Sequence, residues 1–63
     1  MSADNIIYVK KNRKKWKVWE QSASCDPNPN PSAKEYATES KALKAAHELE
    51  KETGYVEYGV HVL

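Results

Sequence analysis

One stretch of this chain reads as a helix, and its apolar stripe is narrow. Residues 38–53 open on Thr38, a good N-cap residue, with Glu39 and Ser40 in the first turn, and Gly54 follows as a C′ stop. Ala42, Ala45, Ala46, Leu49 and Thr53 recur at helical spacing on one side, with Leu43 flanking them. Lys41, Lys44, Glu48, Lys51 and Glu52 occupy the other side. Small alanines let a helix sit close to its partner. A lone helix must bury its stripe on something else, so the remainder of the chain has to supply a sheet.

The remainder does read as strands. Residues 1–5 are polar and are expected to fray. Ile6, Ile7, Tyr8 and Val9 are β-branched or aromatic, and the strand ends at Lys10. Residues 16–21 form a second run, with Trp16, Val18 and Glu20 on one face and Lys17, Trp19 and Gln21 on the other. Between them lies Lys11-Asn12-Arg13-Lys14-Lys15, without an apolar residue and with Asn12 as the residue suited to a left-handed backbone. This is a β-hairpin with a basic tip, and the strands have room to extend into that tip. Residues 56–63 alternate: Val56, Tyr58, Val60 and Val62 against Glu57, Gly59, His61 and Leu63. A short extra strand over residues 34–37 would carry Tyr36. Residues 22–33 hold Pro27, Pro29 and Pro31 and read as a long loop.

With 63 residues there is one domain, spanning residues 1–63. A domain this short buries only about 60% of the surface its unfolded chain exposes. The expected fold is α+β and two-layered, in the order ββαβ or βββαβ. One helix packs on a small antiparallel or mixed sheet of three to four strands, with the last strand beside the first. The expected core is Ile6, Tyr8, Trp16, Val18, Ala42, Ala46, Leu49, Val56, Tyr58, Val60 and Val62. Ile7 and Val9 are also apolar, so the inner face of the first strand depends on the register.

Charge is unevenly spread. Residues 1–20 carry six cations against two acids, a balance of +4. Residues 21–63 carry four cations against seven acids, a balance of −3. Such asymmetry points to a basic contact surface with an acidic back.

Two local patterns have a familiar look. Lys15-Trp16-Lys17-Val18 is a Trp-x-Val strand after a turn, and Thr38-Glu39-Ser40-Lys41-Ala42-Leu43-Lys44-Ala45-Ala46 is a capped, alanine-rich helix leading to Gly54 and a terminal strand. Together they resemble a small family of bacterial and phage domains of unknown function with a ββαβ layout. The resemblance covers about residues 6–63, with the proline loop as an insertion. It implies the fold and supplies no catalytic residue. The layout is also similar to that of small sheet-plus-helix DNA-binding domains, an analogy of fold alone.

Function is expected to be binding rather than catalysis, because so short a chain has no room for a buried active site. Lys11, Arg13, Lys14, Lys15 and Lys17, with Trp19 beside them, are the candidate nucleic-acid contacts. The plain alternative is a solvated hairpin tip whose lysines block edge pairing. Ile7, Val9, Trp19 and Leu63 are the candidate protein interface, on a sheet face that the helix leaves open. There too a plain alternative stands, with the proline loop lying across Trp19. The partners expected are a nucleic acid, a second protein such as the target of a phage-encoded inhibitor, or a second copy forming a homodimer.

No cofactor or metal is expected. His47 and His61 have no ligand cluster around them, Cys25 has no activating base, and there is no glycine-rich phosphate loop. A lone cysteine excludes an internal disulfide and the usual zinc finger. No apolar run is long enough to span a bilayer and no signal peptide is recognisable, so a cytoplasmic location is expected.

Overall fold

A two-residue turn sets the architecture. In the computed structural model, which describes residues 4–54 and 56–63, β1 (Asn5–Asn12) and β2 (Lys15–Ser22) pair antiparallel from Asn5↔Ser22 to Asn12↔Lys15. Only Arg13 and Lys14 lie between the strands. Arg13 takes the positive φ, 61°, that a tight hairpin turn of the primed type requires at its first central position. Asn12, the residue suited to that conformation, instead lies in the ladder as the partner of Lys15.

That turn length fixes which residues face the helix. A five-residue loop over residues 11–15 would pair Lys10 with Trp16 and put Ile6 and Tyr8 on the same face as Val18. The two-residue turn shifts the register by one, to Val9↔Val18 and Ile7↔Glu20. A shift of one residue exchanges the faces of a strand. Ile7 and Val9 therefore lie under the helix, both fully buried, while Ile6 and Tyr8 join Trp19 on the opposite face.

Two short strands complete the sheet in the order β3-β2-β1-β4. β3 (Lys34–Tyr36) runs antiparallel to β2, with Tyr36 opposite Trp16. β4 (Val60–Val62) runs parallel to β1, with Val60 opposite Ile7 and Val62 opposite Val9. The sheet is mixed, and the connection between antiparallel and parallel strands is the helix α1 (Glu39–Thr53).

Helix boundaries follow the capping residues. Thr38 has an extended backbone, and its Oγ1 accepts from the Lys41 N–H at 3.2 Å. Gly54 has φ 91° and donates its N–H to the Glu50 carbonyl at 3.1 Å. Ala42 and Ala46 are fully buried and meet Ile7, Val9, Val18 and Val56, with Trp16, Tyr36, Leu43, Leu49 and Val60 around them. Thr53, placed on the inner stripe by spacing, is exposed.

Residues 56–63 are not one strand. The Gly59 N–H donates to the Val56 carbonyl at 3.2 Å and Gly59 has φ 68°, so a turn precedes β4. Asn5 pins this turn: its Oδ1 accepts from the Glu57 N–H at 3.2 Å and its carbonyl from the Tyr58 N–H at 3.3 Å. Val56 is buried as expected, but Tyr58 is 57% exposed and Val62 43% exposed, so neither is core. Of the N-terminal residues expected to fray, residues 1–3 lie outside the described ones, and Asn5 opens β1.

The second sheet face is covered by the proline loop. Ala23 and Ala33 pack against Ile6, Tyr8 and Trp19. Trp19 is 1% exposed. The loop is held by side chains at its root. Gln21 Nε2 donates to the carbonyls of Cys25 and Asp26, at 3.2 and 3.0 Å, and Gln21 Oε1 accepts from the Asn28 N–H at 3.0 Å. Asn30 Nδ2 donates to the Glu20 carbonyl at 2.8 Å. The three prolines carry no N–H, so the loop has fewer donors that need such partners.

Candidate nucleic-acid interface

The β1–β2 ribbon outruns its neighbours. β4 pairs with β1 only as far as Val9, so Lys10, Lys11 and Asn12 extend past its end. β3 pairs with β2 only as far as Trp16, so Lys15 and the turn extend past it. The ribbon tip thus forms the end of the sheet beyond both β3 and β4.

Six cations sit on this end: Lys10, Lys11, Arg13, Lys14, Lys15 and Lys17. They are spread around the ribbon by strand alternation. Lys10 and Lys17 are direct cross-strand partners on the face that carries Tyr8 and Trp19, and Lys15 lies on that face too. Lys11 stands opposite Trp16 on the helix side. Arg13 and Lys14 form the turn between them. Lys10, Lys11, Arg13, Lys14 and Lys15 are exposed and Lys17 is half-buried.

One acid lies among these charges. Glu35 stands opposite Lys17 on β3, and with Asn12, Arg13, Lys14 and Lys15 it lines an open concavity beside the tip. Among the described residues, none of the six cations has a carboxylate within salt-bridge distance; the ion pair present is His47 with Glu50, at 3.7 Å. Like charges directly opposite on a sheet disfavour folding, and an L-residue at positive φ costs about 1–2 kcal/mol. The tip thus accepts two local penalties, at Lys10↔Lys17 and at Arg13.

Comparison with protein-family models, with curated proteins and with solved structures finds no match. The site has to be read from its own chemistry.

The second group of candidate residues is placed differently from expectation. Ile7 and Val9 are in the core under α1, and Trp19 lies beneath the proline loop. They present no open apolar face. Trp19 also presents no surface to a base or a phosphate; the indole ring lies 5.6 Å from that of Tyr8, tilted by 41°. Leu63 is 45% exposed, at the end of β4. Sequence reasoning missed Tyr58 as a surface aromatic, because alternation with Val56 and Val60 disguised it. Tyr58 shares a shallow recess with Asp4, Ile6, Tyr8, Ala23 and Ser24, at the end of the sheet away from the hairpin tip.

Among the described residues there is no cluster of three or more His, Cys, Asp or Glu that could hold a metal ion. His47 is exposed on the helix, His61 meets the Tyr8 ring edge-on at 5.8 Å, and Cys25 is an exposed free thiol. No helix among them is long and apolar enough to cross a membrane.

Proposed function

We propose that the protein binds nucleic acid, with the basic hairpin as the contact surface. The observation that carries this reading is the protruding ribbon of six cations, none within salt-bridge distance of a carboxylate among the described residues. A two-stranded β-ribbon has the width to enter the major groove of a duplex. Cations on both faces of such a ribbon and at its turn meet the phosphates that border a groove. Neutralising them releases condensed counterions, which is the sequence-independent source of affinity.

Five of the six cations are lysine. Lysine presents a point charge without the planar fork that reads guanine or clamps a phosphate in two places. Contacts of this kind position the protein and carry little sequence information. The expected activity is therefore weakly sequence-selective binding, with Lys10, Lys11, Arg13, Lys14, Lys15 and Lys17 on the backbone. Trp19 acts from within, by fixing the sheet that holds the ribbon.

The test compares charge reversals on the two ends. Lys14→Glu and Lys15→Glu, both exposed at the tip, are each expected to weaken binding to a short mixed-sequence duplex by about tenfold at low salt. Lys44→Glu, exposed on the far side of the helix, is expected to change it by less than about threefold. Equal losses from all three substitutions would remove the hairpin as the contact surface. The rival reading, a protein-binding module acting through an open sheet face, loses Ile7 and Val9 to the core and Trp19 to the loop, and keeps only Leu63, exposed at the end of β4.

A further inference from the structure

We propose that β4 is a dimerisation edge, pairing antiparallel with β4 of a second copy about a twofold axis at His61. The two edges of this sheet are guarded unequally. β3 carries Lys34 and Glu35, and Pro31 lies just ahead of it. Charges and proline are the usual means of keeping an edge from pairing with another chain. β4 reads Val60-His61-Val62 and has neither. The exposed large hydrophobics among the described residues are Tyr58, Val62 and Leu63, all on β4 or flanking it.

Backbone geometry selects the register. β4 meets β1 through the Gly59 carbonyl, which accepts from the Ile7 N–H at 3.0 Å, and through the Leu63 N–H, which donates to the Val9 carbonyl at 2.8 Å. In a parallel ladder the residues facing one neighbour alternate with those facing away. With residues 59, 61 and 63 turned to β1, the N–H and C=O groups of Val60 and Val62 point outward. A twofold axis at His61 sets Val60 opposite Val62 of the second copy and Val62 opposite Val60. Both outward residues then fall in hydrogen-bonded pairs, and the two His61 residues form the non-hydrogen-bonded pair between them.

Charge selects a second copy, and the antiparallel sense. The hairpin tip is the cationic end of the domain. The other end carries four acids, Asp4, Glu50, Glu52 and Glu57, against Lys51, with Glu57 held beside the start of β1 by Asn5. β4 runs parallel to β1 and toward the cationic end. Antiparallel pairing of two copies therefore brings Lys10 and Lys11 of each toward Glu57 of the other, whereas parallel pairing would set like ends together. The result is a continuous eight-stranded sheet with its two basic tips directed oppositely.

Sedimentation and light scattering of the full chain, over a range of concentrations, read the assembly. The native chain is expected at twice the chain mass, and Val62→Lys, which places a charge on the edge, at the monomer mass with an unchanged far-UV spectrum. The double substitution Cys25→Ser with His61→Cys is expected to form a disulfide-linked dimer on mild oxidation, because Cα atoms of a non-hydrogen-bonded antiparallel pair are about 4.5 Å apart, within disulfide reach. A native chain that stays monomeric would overturn the proposal and leave the edge to a strand of another protein. A dimer that survives Val62→Lys, or a His61→Cys chain that does not cross-link, would place the interface elsewhere and equally overturn it. Lys14 and Lys15 lie on the turn and on β2, with β1 between β2 and this edge, so their charge reversals test nucleic-acid binding and Val62→Lys tests the dimer as separate results.

Discussion

The indole Nε1–H of Trp19 donates to Oε1 of Gln21 at 2.7 Å, so one side chain satisfies the buried ring and also holds the loop that buries it. Gln21 reaches the carbonyls of Cys25 and Asp26 and the N–H of Asn28 with the same amide group. A residue that sequence alternation places on the outer face thus closes a second small core. Gln21→Ala is expected to destabilise the domain by about 1–3 kcal/mol, because it leaves a buried donor unpaired and releases the loop. Urea denaturation followed by tryptophan fluorescence measures it. A change below about 0.5 kcal/mol would mean that the loop is held without Gln21.

Trp19→Ala is expected to cost more, about 3–5 kcal/mol. A domain of this length has only a few kcal/mol of margin, so the variant is expected to be largely unfolded at room temperature. Far-UV circular dichroism distinguishes that from a native-like variant that has merely lost a ligand contact.

Arg13 offers a test of strain against charge. Replacing it with glycine removes the penalty of φ 61° but adds unfolded-state entropy. The net expectation is a gain of about 0.5 kcal/mol, a rise in Tm of a few degrees for a chain this size. The same substitution removes one cation, so duplex binding is expected to weaken while stability rises. A variant that gains stability and keeps full affinity would show that Arg13 makes no phosphate contact.

Thr38→Ala removes the acceptor that holds the Lys41 N–H. The expected loss is about 1 kcal/mol, with Thr38→Ser close to native. Thermal melts of the two variants side by side give the answer. Equal losses would assign the role to the threonine methyl group rather than to the hydroxyl.

Much of this architecture is legible in the residues, and the misreadings have specific causes. The helix is readable because Thr38, Gly54 and the Ala42–Ala46 spacing are local signals that agree with one another. The order of elements and the partnership of the last strand with the first follow from that helix. The inner face of β1 is not readable, because Ile6, Ile7, Tyr8 and Val9 are all apolar and only the turn length separates the two registers. That length is hidden by Arg13, a residue that gives no sign of a left-handed backbone. The final strand is overread because Val56-x-Tyr58-x-Val60 alternates through a turn that depends on a distant residue, Asn5. Of the two readings open for Trp19, the covered one holds and the open interface does not, since the loop over it is tied down by Gln21 and Asn30. The basic tip itself is plain from composition, and its projection past β3 and β4 is what the structure adds.

The salt dependence of duplex binding tests the central claim most directly. With four to six lysine and arginine side chains on phosphates, the logarithm of the association constant is expected to fall with the logarithm of salt concentration at a slope between about −3.5 and −5.5. Fluorescence anisotropy of a labelled mixed-sequence duplex, titrated at several salt concentrations, gives that slope. A slope in this range that flattens by about one unit for each tip cation removed is the expected result. Binding that is absent at low salt, or that does not change as salt rises, would contradict the assignment of the hairpin as a phosphate-binding surface.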